Sequence, residues 1–352
     1  LDPARYFDNA ATTRLDPAVW REMEPYFGVV FGNANSIHQW GQRAAAGVDR
    51  ARERVAETLG CSPEQVFFTS GATESNNWVL RSFERVAVSP FEHSSAWETA
   101  QTLGHTVLGN DGYSLLAPNG GLDLVCVMAV NNETGAILTL PQTSALVHRD
   151  ATQALGKVPL GLAGVDFASF SAHKVHGPKG VGGLFAADPT LLRPMLIGGG
   201  QEHGLRAGTV NVPGVVGLGA ACALAMDRRD EALSHVQSLR DAVLEGLAKV
   251  PDCWIHDGPS NSPYILSVSV LGLHGESLAL YCDQAGFAVS SGAACSSGST
   301  EPSHVLTALG VPESAAKATV RVSFSIENSL EAAQALARTL AKGAEELRRL
   351  GP

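Results

Sequence analysis

Lys174 stands in the run SFSAHKVHGPKG (residues 169–180), flanked by His173 and His176 and close to Ser169 and Ser171. An amine among imidazoles and hydroxyls can condense with a carbonyl once it loses its proton, and partial removal from water favours the uncharged form. Taken alone, Lys174 reads equally well as an ordinary loop lysine, so the chemistry depends on what accompanies it. His93, Asn132, Asp150 and Gln153 each sit near the end of a strand-like stretch. FFTSGATE (67–74) combines a strand, a small-residue turn and the opening of a helix. Free backbone N–H groups and the helix dipole converge at such a junction and suit a phosphate, although a plain turn capped by Thr73 has the same sequence. Cys295 lies in SSGAACSSGSTEP (290–302), too polar and glycine-rich to pack a core, and a thiol displayed there is reactive if its thiolate is reachable. Arg321, within TVRVSFS (319–325), can grip a carboxylate with two prongs, and reads otherwise as an ion pair.

Together these parts match the needs of pyridoxal 5′-phosphate held by a lysine. Ala72, Thr73 and Ser171 offer donors to a phosphate, and Asp150 is placed to keep a pyridine nitrogen protonated. His93 can stack on a ring and move protons, while Asn132 and Gln153 can hydrogen-bond the ring oxygen. Each residue alone is weak evidence, and the joint pattern is far more specific.

The elements that must position them alternate. Val66–Thr69, His105–Leu108, Leu122–Val130, Ala145–His148, Val165–Phe170 and Val181–Ala187 read as strands, with helices over Leu15–Phe27, from a Ser36 cap to Leu59, from after His93 to Gly104, and over 212–250 with a charged break at 227–231. Tyr6–Thr13 reads as a short strand running into a turn. This alternation predicts an α/β fold with a mainly parallel, doubly wound sheet, whose carboxyl strand ends carry the site. The strands Tyr264–Leu271, Phe287–Ser290 and Thr319–Ser325 and the helices 275–285 and 329–350 form a second, smaller α/β unit. The predicted division is a large domain over 15–240 and a small one over 241–352 with 1–14. GGGQEHGLRAGT (198–209) has no Lys-Ser/Thr ending and no leading strand, which argues against a P-loop.

Hydrophobic residues make up 45% and charged residues 17% of the 352, as in ordinary globular proteins, and the formal charge of −10 argues against general nucleic-acid binding. No apolar run reaches membrane-spanning length and no signal-peptide pattern opens the chain, so a cytoplasmic protein is expected. The six cysteines have no C-x-x-C pair, which suits neither a zinc site nor a disulfide framework, and no metal is predicted. Cys126 and Cys222 read as core residues.

YFDNAATT, FGNANSIHQWG, FTSGATESNN, VNNETG, HRDATQALGK, SFSAHKVHGPKG, GGGQEHGLRAGT and SSGAACSSGSTEPSHVL, in this order from Tyr6 to about Phe324, resemble the cysteine desulfurases, which are fold-type I pyridoxal-phosphate enzymes. The long cysteine loop is similar to the subgroup serving iron–sulfur cluster assembly and tRNA thiolation. The resemblance implies a homodimer that takes sulfur from L-cysteine, leaves alanine and a persulfide on Cys295, and passes the sulfur to an acceptor protein. It puts the cofactor imine on Lys174, the stacking ring on His93, the pyridinium carboxylate on Asp150 and phosphate contacts on Ala72, Thr73, Ser171 and His173. Thr209 would reach the other subunit's cofactor, Asn132 and Gln153 the ring oxygen, and Asn132 and Arg321 the substrate carboxylate. Selenocysteine lyases and aminotransferases share this fold, and a non-catalytic sulfur-relay or scaffold protein is the alternative of a different class. The connections between Glu74 and Asp150 are shorter than the family's. About a dozen residues separate Asn132 from the strand at 145, the minimum for a parallel crossover, so helices over one sheet face are expected to be short or missing.

Overall fold

Short apolar runs become strands here because both of their faces are covered, and two of the neighbouring helices end on left-handed glycines, Gly60 and Gly104. The computed structural model describes residues 1–292 and 302–350. Its larger sheet contains β1 (Val66–Thr69), β2 (Val86–Val88) and β3 (Thr106–Val107), then, after the small hairpin of β4 (Asn110–Asp111) and β5 (Ser114–Leu115), β6 (Leu124–Cys126), β7 (Leu146–Asp150), β8 (Phe167–Ser171) and β9 (Gly182–Ala186). Strand order among the described residues is β1-β9-β8-β7-β6-β2-β3. Pairing is parallel from β3 through β8, whereas β9 runs antiparallel to both β8 and β1. The expected mainly parallel sheet is therefore present with one reversed strand, fed by the tight GPKG turn after Lys174.

The chain opens with α1 (Pro17–Met23), α2 (Pro25–Gly28) and α3 (Gln39–Leu59). Expected as one helix, Leu15–Phe27 is broken at Glu24, because Pro25 has no amide hydrogen to continue the ladder. The cap of α3 is His38, whose Nδ1 accepts from the Gly41 amide, and not Ser36; Gly60 closes the helix at φ +72° as its position suggested. One face of the large sheet is covered by α3 and α6 (Val212–Asp227), with Ala51, Val55, Val215 and Leu218 in a shared core. Gly219 permits that contact, since a Cβ there would lie 2.6 Å from the Ala51 Cα. On the other face lie α4 (Ala72–Ser82) and α5 (Ser94–Leu103), with Trp78, Val79, Ala96 and Ala100 against Phe67, Val88 and Phe167. Between β6 and β7 no helix is present among the described residues, as the short connection implied, and none is present between β7 and β8, which was not expected.

After α6 the helix restarts as α7 (Arg229–Leu247), the break falling where the charged residues predicted it. The second sheet has β10 (Cys253–Ile255), β11 (Ile265–Val270), β12 (Ser290–Ser291) and β13 (Thr319–Ser323) in the order β10-β11-β13-β12, all antiparallel. With it pack α8 (Gly275–Gln284) and α11 (Leu330–Leu350), and Val236, Leu239 and Val243 of α7 join the same core. Two short helices, α9 (His304–Ala308) and α10 (Glu313–Lys317), precede β13.

Three further expectations are corrected. Tyr6–Thr13 forms no strand and makes only single bridges, Tyr6 to Ala288 and Asp8 to Ser323, because it wedges between two strands instead of lining up with one. Leu122–Val130 is not one long strand. Its ladder to β2 stops at Cys126, although the amides of Val127 and Ala129 still donate to His148 and Asp150 on β7. Neither β2 nor β10 was predicted, each being only three residues long.

Candidate active site

The large sheet turns its carboxyl strand ends toward a cavity of ≈ 670 Å³, bounded on the far side by the N-terminal segment and β13. Its lining includes Ala72, Thr73, His93, Asn132, Asp150, Gln153, Ser171, His173, Lys174 and Arg321. Those expected residues thus share one space.

Lys174 closes a single 3₁₀ turn after β8. Its Nζ donates to the carbonyls of Ala10 (2.6 Å) and Ala11 (2.8 Å), so the N-terminal segment holds the amine at the cavity wall. Thr13 ties the same turn, its amide and hydroxyl donating to the His173 carbonyl and its oxygen accepting from the His176 amide at φ +63°. Burial and the neighbouring Lys174 and Lys179 bring the His173 imidazole down to about 4, so it is a neutral ring, hydrogen-bonded through Nδ1 to Thr12.

At the start of α4 the first-turn amides of Ala72 and Thr73 have no helical acceptor. Gly71 is the cap, with no side-chain cap bond, so the Thr73-capped turn considered above is not formed. Gly182 brings β9 against this turn, because a Cβ there would stand 2.4 Å from the Phe170 carbonyl and 2.7 Å from the Gly71 Cα. Glu74 then pins the turn from outside, accepting from the Ser70 amide (2.8 Å) and from both prongs of Arg206 (2.8 and 3.0 Å). Burial works against the Glu74 charge, yet Arg206 and Ser70 outweigh it and hold the carboxyl below its usual range.

Asp150, at the end of β7, is 3% exposed. One oxygen accepts from Asn76 Nδ2 (2.8 Å) and the other from the Thr152 amide (2.9 Å), which aims the carboxylate into the cavity. His93 caps α5, and the Ser95 amide donates to its Nδ1 at 3.1 Å, so a neutral ring carries its proton on Nε2. Burial lowers its pKa, with Asp150 opposing. Beneath it, Glu92 is fully buried and accepts from Ser89 Oγ (2.5 Å) and the Met128 amide (2.7 Å); burial raises it to about 7 despite those bonds.

Asn131 organises the turn that presents Asn132, its Oδ1 accepting from the amides of Glu133 and Thr134. Arg321, only 5% exposed, donates to the Asn132 carbonyl and to Asp8 Oδ1, both at 2.9 Å. It is thus no surface ion pair. Its Nε and the Thr152 hydroxyl are buried without a partner among the described residues, and both residues line the cavity. Such orphaned donors, an open helix N-terminus, a buried carboxylate and a lysine fit a phosphate-bearing pyridine aldehyde together with an amino-acid carboxylate.

Thr209 does not face this cavity. It is exposed and lines an adjoining hollow with Arg206, which shares Ser70 and Gly180 with the cavity. Cys295 lies outside the described residues. The described chain on either side meets the site: Ser290 lines the cavity, and beyond the gap Ser303 donates to Glu133 (2.5 Å). His304 bonds the Glu92 carbonyl (2.9 Å) and stacks on Trp97. Sequence reasoning overlooked Asn76, Asp8 and Ser95. Asn76 was within reach, since it lies one helical turn after Ala72 in a motif already singled out.

The family described as aminotransferase class-V matches residues 5–336. A cysteine desulfurase of Gluconacetobacter diazotrophicus is 39% identical, over 93% of this chain and 90% of the relative. The cysteine desulfurase IscS of Methanosarcina thermophila is 35% identical, over 99% and 94%. Among solved structures, a NifS-like protein superposes with a TM-score of 0.88 at 35% identity, covering 98% of this chain and 99% of the other. With near-complete coverage by relatives of one kind, the chain belongs to the class-V aminotransferases and, within them, to the cysteine desulfurase family.

Proposed function

We propose that this chain is a pyridoxal 5′-phosphate-dependent enzyme that converts L-cysteine to L-alanine and leaves the sulfur as a persulfide on Cys295. The observation that carries the reading is the convergence of Lys174, Asp150, His93 and Arg321 on one cavity. The family depends on this cofactor in general, and the cofactor, when bound, supplies an electron sink for bonds broken beside the amino-acid nitrogen.

The chain's own residues do the rest. Lys174 would hold the aldehyde and, as a free amine, would be the base that moves the Cα proton. Asp150 keeps a proton on the ring nitrogen, and Asn76 holds the Asp150 carboxylate in place. The Ala72 and Thr73 amides, Ser171 and His173 bind the phosphate, Asn132 and Gln153 hydrogen-bond the ring oxygen, and Arg321 and Asn132 take the substrate carboxylate. The Cys295 thiolate attacks the substrate sulfur. A sulfur–sulfur bond forms as the carbon–sulfur bond breaks, the electron pair passes to the carbon side, and protons returned there complete alanine. Burial favours the neutral form of His93, with Nδ1 held by the Ser95 amide, and the ring can take the Cys295 proton at Nε2 only after passing on the proton it carries there.

We assign the division into a domain over 15–240 and one over 241–352 with 1–14, with α7 as the shared seam. A homodimer is supported by the exposed apolar residues Phe27, Val29, Phe31, Ile37 and Trp40, gathered in one short segment that a second copy could cover. Exposed Thr209 is then available to the second copy's site. No helix among the described residues is long and apolar enough to cross a membrane, and a cytoplasmic enzyme handing sulfur to an iron–sulfur scaffold or a tRNA-thiolation enzyme is the reading we favour. Replacing Cys295 by Ser tests the nucleophile: the cofactor band is retained and sulfur release from cysteine is lost. Full activity of that variant would overturn the assignment.

A further inference from the structure

Lys157 is 7% exposed, and its amine forms no ion pair with any acid among the described residues. A bare amine is expensive to bury, and an apolar side chain of the same length would be cheaper. Its charged neighbours make matters worse, because Lys174 and Arg321 have the same sign; burial first, and then these two, bring the amine down to about 7. Something specific must hold it there.

The fold supplies the means. After β7 the chain makes a compact turn in which Gly156 takes a left-handed φ of +69°, and a Cβ at that position would meet the Ala225 methyl at 2.7 Å. This bend carries Lys157 back over Gln153, four residues earlier. Lys157 Nζ donates to Gln153 Oε1 at 2.9 Å and lies 5.7 Å from the centre of the Tyr264 ring, which tolerates either charge state of the amine. At its other end Gln153 Nε2 donates to the Ala10 carbonyl at 2.9 Å, the same oxygen that takes a bond from Lys174. Gln153 is 3% exposed and lines the cavity.

We propose that Lys157 is a positioning residue for Gln153: it holds the amide oxygen away from the cavity, so that the amide N–H faces the ring oxygen of the bound cofactor. A carboxamide is symmetric in shape but not in chemistry, and the end that faces the cavity decides whether it donates or accepts. Turned over, Gln153 would set its NH₂ against the Lys157 donor and its oxygen against the Ala10 carbonyl, losing both bonds. Lys157 therefore selects a donor at that wall. A donor on the ring oxygen makes it less basic, and the proton shared between that oxygen and the cofactor's bond to Lys174 is then released at lower pH.

This role rests on the cofactor reading above, and the test separates the two. Wild type, Lys157→Met, Gln153→Leu and the double variant are loaded with pyridoxal 5′-phosphate, and the visible band is titrated with pH. Loss of one hydrogen bond predicts a midpoint about one pH unit higher in Lys157→Met. In the Gln153→Leu background, the same replacement adds less than half of that shift. An unmoved midpoint in Lys157→Met, or an equal shift in both backgrounds, overturns the positioning role and leaves the cofactor reading intact. A wild type with no visible band overturns the cofactor reading and the role with it. If Lys157→Met does not fold, Lys157→Gln, which keeps a donor without a charge, stands in. Its midpoint is predicted to lie below that of Gln153→Leu, and a midpoint equal to it counts against the proposal.

Discussion

Replacing Arg321 by Lys separates substrate recognition from cofactor binding. The guanidinium is committed on one edge, with Nη1 to the Asn132 carbonyl and Nη2 to Asp8, and its Nε remains unpartnered among the described residues. A lysine at 321 keeps the positive charge and can still pair with Asp8, but one ammonium cannot serve Asp8, the Asn132 carbonyl and a substrate carboxylate at once. A hydrogen bond to a charged group is worth about 1.5–3 kcal/mol. Losing one from the substrate therefore raises KM for L-cysteine by about 10- to 100-fold. Cofactor affinity should change far less than KM, because the phosphate cradle and Asp150 are built by α4 and β7, and β13 reaches a cofactor contact only through the Asn132 backbone carbonyl. The assay is alanine formation against cysteine concentration, with a parallel titration of apo-enzyme by pyridoxal 5′-phosphate. A KM within twofold of wild type, or a lost cofactor band, would refute this division of labour.

Two other outcomes follow from the buried polar groups. Asn76→Leu removes a donor from the buried Asp150 carboxylate, and the apo-enzyme should bind pyridoxal 5′-phosphate about tenfold or more weakly by fluorescence titration; unchanged affinity would remove Asn76 from the site. Glu92 has a folded pKa of about 7, above its usual value, so it stabilises the fold at low pH and that stabilisation is lost as pH rises through 7. Glu92→Gln, which mimics the protonated acid, should gain about 2 kcal/mol relative to wild type between pH 5 and pH 8 in denaturant unfolding. A difference that does not change with pH would mean that Glu92 is not neutral when folded.

Much of the site was legible because its residues follow a simple rule: a short apolar strand, then one polar side chain at its carboxyl end. Asp150 and Lys174 obey it, and the small-residue turn before α4 marks the phosphate cradle in the same local way. What stayed hidden depends on distant contacts. Asp8 matters through Arg321, more than three hundred residues away, and Asn76 reads locally as one more polar helix position. The Lys157–Gln153 contact is close in sequence, yet without the left-handed bend at Gly156 it looks like a solvated lysine after a loop. Elements were misjudged for similar reasons. Tyr6–Thr13 has strand composition but is shared between two neighbours, and β2 is three residues that only the sheet around them turns into a strand.

The claim on which everything else depends is that the amine of Lys174 carries the cofactor. Borohydride reduction of the enzyme purified with pyridoxal 5′-phosphate, followed by peptide mass analysis, tests it directly. The account predicts one phosphopyridoxyl adduct per chain, on Lys174, and none in Lys174→Ala. An adduct on another lysine, or no adduct on a chain that still turns cysteine into alanine, would contradict it.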